Sequence, residues 1–255
     1  MNLVINMYNV YILILLFYTY SFIGWLIEVI VSIIQRHKLI NRGFLIGPIC
    51  PIYGFGGVLI LILLNRYADD PLILFIMSVV VCSILEYFTS YLMEKIFKNR
   101  WWDYSDKKFN INGRICLECA IPFGIAAVIM FYGLNPVLIS AYTKLSFELL
   151  RIIALSLLAI TIVDVAVSYS IILTLKNISN SLRCDSTELI TKKVREILAG
   201  KNYLHRRLVE SFPKMHIYNK LASLKEKILK NKKALKLEKK KSRENKKIQI
   251  KKISK

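Results

Sequence analysis

The chain has 255 residues, a mean hydropathy of +0.45 and a formal net charge of +20 at pH 7. A single soluble domain is excluded, because a chain that is 55% hydrophobic carries this charge only if the two properties lie in different segments. The charge is segregated, since residues 1–175 have a net charge of +2 and residues 176–255 have +18. The sequence therefore predicts a membrane domain over 1–175, followed by a basic cytoplasmic helical tail over 176–255 whose end is disordered.

Five apolar segments of the membrane domain are predicted to be transmembrane helices, since about 20 apolar residues are needed to cross a bilayer. They span residues 8–34, 52–67, 71–97, 115–134 and 152–175. The first segment has neither the basic start nor the small-residue cleavage site of a secretory signal, so we expect it to be retained. The predicted fold class is an all-α integral membrane protein with about five transmembrane helices.

The Lys and Arg residues of the loops predict the orientation, because basic residues are enriched in short cytoplasmic loops. None precedes the first predicted helix, three lie in the first loop, one in the second, six in or beside the third and two in the fourth. This alternation places the N-terminus outside the membrane. The first loop, the third loop and the C-terminus are placed inside.

The sequence repeats itself when it is shifted by 58 residues, so two homologous helical hairpins are predicted, followed by a fifth helix. The equivalent pairs are Glu28 and Glu86, Ser32 and Ser90, and Arg42 and Arg100. Each copy runs from outside to inside and back, which makes the repeat parallel rather than inverted. The fifth predicted helix carries a weaker third copy, Asp164-x3-Ser168.

Three acids lie inside predicted membrane helices, at matching sequence distances from the inner helix ends: Glu28, Glu86 and Asp164. An acidic residue at mid-bilayer costs at least about 2.5–3.5 kcal/mol on insertion scales, so such a residue is expected to face the protein interior. We expect the three acids, with Ser32 and Ser90 one turn away, to line a shared polar path for a substrate. The alternative is structural, because buried carboxyl and hydroxyl groups also join neighbouring helices by hydrogen bonds.

The first loop continues into GFLIGPICPIYGFGG, residues Gly43–Gly57, in which five Gly and two Pro oppose a smooth helix. Two interpretations stay open, a re-entrant entrance to the second helix or a seam of close helix packing. A phosphate-binding loop is not expected, because no strand precedes the segment and no Gly-Lys-Ser/Thr follows it.

The third loop, NRWWDYSDKKFNINGRICLECAIPFG, spans Asn99–Gly124 and is dense in polar and aromatic residues. Asp103-Tyr104-Ser105 and Asn110-x-Asn112-Gly113 are turn signals, and the paired Trp101 and Trp102 are typical of a membrane interface. Residues from about 102 to 113 have no counterpart in the first hairpin, so we interpret them as an insertion. The candidate site residues of the two cytoplasmic loops are Arg42, Arg100, Trp102, Asp103, Tyr104, Asn110, Arg114 and Glu118.

Cys116-x-x-Cys119 has the spacing of some redox and metal sites, but the sequence has no second pair and only three His residues. We therefore interpret the two thiols as packing residues and expect no cofactor and no metal. The sequence contains no evident set of nucleophile, base and orienting residue either, so an enzyme is not expected.

The strings NRWWDYS, FNINGRICL and, upstream, GPICPIYGFGG resemble those of the CmpB-like ABC-transporter type IV membrane family of bacteria. The resemblance spans about Tyr18 to Gly124, and RRLVESFP, from Arg206 to Pro213, is similar as well. It implies an integral protein of the bacterial cytoplasmic membrane that acts as a transporter permease. Because the sequence has no Walker A motif, such a permease would need a separate ATPase subunit.

Two hypotheses for the function follow. The first is a permease-like transporter subunit, whose partners are the lipid bilayer and either an ATPase subunit or a second copy of the chain. The alternative is a non-transport membrane scaffold, or a lipid-active membrane protein, that uses the loop 99–124 as its working surface. The Lys-rich tail is expected to bind anionic lipid headgroups at about 1 kcal/mol per basic residue. Nucleic acid is not favoured as a partner, because the tail has no recognised fold and its Lys-rich part, residues 219–255, has no interleaved aromatic residues.

Overall fold

The computed structural model describes residues 7–37, 41, 43–97 and 100–181, and it is almost entirely helical. The helices of this part are α1 (Met7–Arg36), α2 (Pro51–Leu64), α3 (Pro71–Phe97), α4 (Leu117–Ile129), α5 (Asn135–Thr143) and α6 (Phe147–Ser181). Two short strands, β1 (Asn110–Ile111) and β2 (Ile115–Cys116), pair antiparallel within the third loop.

Four helical runs are long and apolar enough to cross a membrane, so the chain is a membrane-embedded helical protein. They are Asn9–Ile34, Pro71–Phe97, Leu117–Thr143 and Phe147–Leu173. The run Pro51–Tyr67, formed by α2 and a following 3-10 turn, is apolar but shorter. A fifth crossing at this position stays a prediction.

The fourth predicted helix differs from the expected one in both of its bounds. It begins at Leu117 and continues to Thr143, as α4, a π-helical turn (Met130–Leu134) and α5. Pro136 does not stop the helix; it lies in the first turn of α5, directly after the π-helical turn.

The fifth predicted helix begins earlier than residue 152. As α6 it starts at Phe147, and Arg151 therefore lies inside the helix, where it pairs with Glu148 of the first turn. The backbone of α6 is described as far as Ser181. The rest of the predicted basic tail lies outside the described residues.

Helices α1 and α2 pack closely because glycines leave room for side chains of the other helix. A Cβ atom on Gly24 of α1 would overlap the ring of Tyr53, and one on Gly54 of α2 would overlap Ser21. Gly54 and Gly57 of α2 thus form a packing seam with α1, which is one of the two interpretations of this segment, and the close contact offsets the cost of glycine in a helix. Irregular backbone is confined to residues 43–50 of this segment.

The buried apolar core occupies one end of the bundle, where α1, α3 and α6 begin and α2 ends. Its most deeply buried side chains are Leu16, Leu64, Leu74, Leu150 and Ala154. The other end, where α1 and α3 finish, carries the acids of these helices and the third loop. The fold therefore separates an apolar end from a polar end, and the predicted orientation assigns the polar end to the cytoplasm.

Candidate functional site at the polar end of the bundle

Glu28 lies in the second half of α1 and accepts a hydrogen bond from α2. The Tyr53 hydroxyl donates to Glu28 Oε1 at 2.8 Å. Gly24 leaves space for this contact, because it lies one turn before Glu28 and a side chain there would overlap the Tyr53 ring. The close packing of α1 and α2 therefore places a hydroxyl donor on a carboxyl within a membrane helix.

Glu86 of α3 is deeply buried, with 6% of its surface exposed. Its Oε1 accepts a hydrogen bond of 3.2 Å from the hydroxyl of Tyr104, a residue of the third loop. Its Oε2 is buried and has no hydrogen-bond partner among the described residues. Glu28 and Glu86 therefore have the same kind of partner, a tyrosine hydroxyl, at the polar end of the bundle.

Tyr104 reaches Glu86 because the insertion folds back onto the helices. The backbone N–H of Tyr104 donates to the carbonyl of Gly113, and its own carbonyl accepts the N–H of Lys107, both at 2.8 Å. Burial raises the pKa of the Tyr104 hydroxyl well above its usual value, and the neighbouring Glu86 raises that pKa further. The hydroxyl therefore stays protonated and acts as a donor.

The first predicted turn of the loop forms around Asp103. Its Oδ1 accepts the hydroxyl of Ser105 at 2.6 Å, the backbone N–H of Ser105 at 3.0 Å and Nη1 of Arg100 at 3.3 Å. These donors, the Ser105 hydroxyl foremost, lower the pKa of Asp103. The turn fixes the chain direction just before Tyr104 and so aims that side chain at the helices.

The second predicted turn connects β1 to β2. Asn112 and Gly113 have φ angles of 53° and 66°, and a 3.0 Å hydrogen bond joins the N–H of Arg114 to the carbonyl of Ile111. This is the geometry of a type I′ turn, which favours Asn-Gly. The side chain of Asn110 closes the loop, because its Oδ1 accepts the Gly113 N–H at 3.0 Å.

The two tryptophans of the third loop have different surroundings. Trp101 is 5% exposed, and its ring centroid lies 5.6 Å from those of Phe44 and Phe97, so this indole packs between the first loop and the end of α3. Its position at a membrane interface stays a prediction. Trp102 donates from Nε1 to the carbonyl of Arg114 at 3.0 Å and thereby joins the two ends of the insertion.

The basic residues of the loop gather on Glu94, near the end of α3. Arg114 Nη2 lies 2.8 Å and Arg100 Nε 3.5 Å from Glu94 Oε2. Arg114 also donates from Nη1 to Ser90 Oγ at 3.3 Å, and its guanidinium faces two tyrosine rings of α3 at 5.5 and 5.6 Å. Within the part of the chain that the structure describes, no ion pair includes Glu86.

Asp164 of α6 has a different setting from that expected. Its Oδ1 accepts the backbone N–H of Ile46 at 2.8 Å, and its Oδ2 accepts that of Gly47 at 2.7 Å. Ser168, one turn later, donates its hydroxyl to Oδ1 at 3.0 Å. These N–H groups belong to irregular backbone and have no helical partner, so they engage the carboxylate. Asp164 thus holds the first loop in place, and this occupation argues against its lining a path with the other two acids.

The remaining candidates make no contact with Glu28 or Glu86 among the hydrogen bonds and ion pairs of the described residues. Ser32 of α1 is fully buried, and its Oγ has no hydrogen-bond partner among the described residues. Glu118 pairs with Lys107 at 2.7 Å and raises the pKa of Lys107, but both side chains are exposed, so solvent weakens this pair. Arg42 lies outside the described residues.

Tyr53 is the functional residue that reasoning from the sequence did not single out. Its hydroxyl is one of two that contact the acids, yet it lies 25 residues from Glu28. The available signal was Gly24, a small residue one turn from a membrane acid, which indicates that a large side chain of a neighbouring helix packs there.

A family model described as "Putative ABC-transporter type IV" matches residues 15–169, more than half of the chain. The matched segment contains both acids, the insertion and Asp164. No curated protein and no solved structure matches the chain. A helical membrane protein with interior acids agrees with a transporter-like class, and the chain belongs to the family described as "Putative ABC-transporter type IV".

Proposed function

We propose that the chain is the permease-like membrane subunit of a bacterial transporter and that Glu28 and Glu86 lie on its polar path. The observation that carries the proposal is that each of these carboxyls of a membrane helix accepts a tyrosine hydroxyl at the polar end of the bundle, and that a loop covers one of them. Acidic side chains that meet in the interior of a membrane protein are typical of ion and substrate pathways. Membership of the family supports the transporter class.

Matching contacts support two homologous hairpins, α1–α2 and α3–α4, as the frame of this path. A Cβ atom on Gly54 would meet two residues of α1 too closely, and one on Gly124 would do the same with two residues of α3. The contacted residues are Phe17 and Ser21 for Gly54, and Phe75 and Val79 for Gly124, an offset of 58 in each case. The sequence repeat has the same offset, so the two acids would occupy equivalent places.

The two hairpins differ in the residue that reaches the acid. Tyr53 precedes Gly54, whereas Phe123 precedes Gly124; the two rings pack edge to face, with 5.9 Å between centroids. Phe123 has no hydroxyl to offer Glu86. Tyr104 of the insertion supplies one in its place. The insertion therefore acts as a cover for the second acid, a part that the first hairpin does not need.

The proposal includes an orientation and partners. The N-terminus would lie outside and the C-terminus inside the bacterial cytoplasmic membrane, with five crossings and the polar end of the bundle at the cytoplasmic face. The first and third loops are then the short segments available to a separate ATPase subunit. A second copy of the chain is the other candidate partner, and the Lys-rich tail would lie against anionic headgroups.

The first test asks whether water reaches the serines one turn toward the cytoplasm from the acids. After the five native Cys are replaced, S32C and S90C are treated in inside-out vesicles with a membrane-impermeant maleimide. We expect both to be labelled, because a transporter opens its path during its cycle. The control is F88C, whose parent side chain is 57% exposed on the outer surface of α3 and should stay unlabelled in lipid. If neither serine variant reacts, the path is dry and the acids are structural.

The second test identifies the partner. The full chain is purified from its native host in a mild detergent, and the proteins that accompany it are identified. An ATP-hydrolysing subunit supports the permease-like role. Recovery of the chain with copies of itself alone contradicts the ATPase partnership.

One observation favours the alternative, a scaffold or lipid-active protein that works through the loop 99–124. Phe109 is 80% exposed at a φ of 52°, and Ile111 is 56% exposed. A bulky residue with positive φ is rare, so the loop pays in backbone strain to present an apolar tip. This function would be favoured if F109S abolished binding of a partner while S32C and S90C stayed unlabelled.

A further inference from the structure

We propose that Glu86 is a proton-binding site, a carboxyl that the folded chain holds as the neutral acid and that binds and releases one proton. The binding itself does not depend on the permease-like role. In a permease the bound proton would set the charge of the polar path, and that consequence alone rests on the proposed function.

The first argument is the burial of Glu86 without a compensating charge. The side chain is 6% exposed, and Oε2 has no hydrogen-bond partner among the described residues. A buried carboxylate is stable only when a cation or several donors replace the water that it loses. One neutral hydroxyl, that of Tyr104, is the donor observed on this carboxyl. The neutral acid is therefore the favoured form.

The second argument is the charge of the groups that surround Glu86 on each packed element. The titratable neighbours are Glu28 of α1, Cys82 of α3, Tyr104 of the insertion and Cys119 of α4, and Tyr53 of α2 reaches the site through Glu28. None of these neighbours carries a positive charge, and among them only the hydrogen bond from Tyr104 favours a charged Glu86. Asp164 of α6 accepts hydrogen bonds from the backbone of the first loop.

Glu94 provides an internal contrast two turns along the same helix. Its Oε2 lies 2.8 Å from Arg114 and 3.5 Å from Arg100, so two cations compensate the charge of this carboxyl. Arg114 donates a hydrogen bond to Ser90, which lies one turn from Glu86, but its guanidinium is already paired with Glu94. The third loop thus brings cations to one acid of α3 and a neutral hydroxyl to the other.

The geometry also assigns the atom that carries the proton. The Tyr104 hydroxyl donates to Oε1, so that oxygen acts as an acceptor. Oε2 is left to bind the proton. Release would leave one negative charge on Glu86 beside Glu28, and this repulsion favours rebinding.

The test is infrared spectroscopy of the full chain in lipid vesicles, which detects the carbonyl stretch of a protonated carboxylic acid directly. We expect this band at neutral pH. It should be lost in E86Q and retained in E94Q, the matched control on the same helix. E86D, which keeps a carboxyl at the site, should retain a band at a shifted position, so that a folding defect of E86Q is distinguished from loss of the proton.

A pH titration of the band tests the coupling to Glu28. In E28Q we expect the band to disappear at a lower pH than in the wild type, because the charge of Glu28 helps Glu86 to retain its proton. A band that persisted to higher pH in E28Q would mean that Glu28 helps to release the proton. A wild-type band that is absent at neutral pH, or one that survives unchanged in E86Q, overturns the proton site. Neither result depends on transport, so this proposal and the permease-like role can fail separately.

Discussion

A single hydroxyl group joins the third loop to the membrane helices at Glu86. Tyr104 lies 18 residues from that acid in sequence, and its hydroxyl donates to Oε1 at 3.2 Å. Burial and the nearby acid keep the Tyr104 hydroxyl protonated by raising its pKa. The contact therefore has one direction, from tyrosine to carboxyl, and its loss leaves a buried acceptor without its donor.

Substitution Y104F should lower the free energy of unfolding by about 1–3 kcal/mol, the usual cost of leaving a buried acceptor unsatisfied. The measurement is unfolding of the purified chain in mixed detergent. Y91F is the control, since it keeps the ring that faces Arg114, and it should change the stability by less than about 0.5 kcal/mol. Equal stability of Y104F and the wild type would mean that this hydrogen bond is not made in solution.

At the scale of elements, glycines decide how closely the parts of the polar end approach. Gly113 has a φ of 66°, and a side chain there would meet Asp103 and Ser105. Gly54 brings α2 against α1 in the same way. The insertion and the helix seam therefore depend on positions where no other residue fits.

G113A should release the insertion, because alanine in the left-handed region costs about 1–3 kcal/mol even before its clash with the Asp103 turn. Limited proteolysis between residues 102 and 113 measures the release and should become faster. G133A offers a matched control, since a Cβ atom on Gly133 meets nothing within 4 Å. Comparable proteolysis of both variants would show that the turn does not hold the loop.

G54A should destabilise the α1–α2 pair by about 1–3 kcal/mol, the typical cost of overpacking. G56A lies two residues along the same helix, where the added Cβ atom would sit 3.6 Å from Leu85 in ordinary contact. The comparison therefore separates crowding from helix propensity, which is the same for both changes. Thermal unfolding in detergent is the measurement, and a larger loss for G56A would contradict the seam.

Features that depend only on residues adjacent in the chain could be predicted from the sequence. The Asp103 turn and the Asn112-Gly113 turn are local, and both form as expected. The contacts of Tyr53 and Tyr104 were not predictable, because each joins segments whose separation depends on how helices pack. The engagement of Asp164 by loop backbone is equally a matter of tertiary structure.

For the whole molecule, the separation of an apolar end from a polar end makes the predicted orientation testable. The short link between α5 and α6 lies at the apolar end, and the insertion lies at the polar end. The distribution of basic residues predicts that the link between α5 and α6 faces outward and that the insertion faces the cytoplasm.

With the native Cys residues replaced, K144C should react with an impermeant thiol reagent in intact cells, and D106C should react only in inside-out vesicles. Both parent side chains are exposed, so access to the reagent depends on the side of the membrane. The reverse pattern would invert the orientation and place the insertion outside.

The different origins of the two tyrosines that contact Glu28 and Glu86 have a mechanical consequence. Glu28 keeps its tyrosine as long as α1 and α2 stay together, whereas Glu86 keeps its own only while a surface loop stays docked. Lifting that loop would expose one acid and leave its neighbour covered, without separating any helices. A binding protein that pulls on the loop from one side of the membrane would therefore act on the two halves of the molecule unequally.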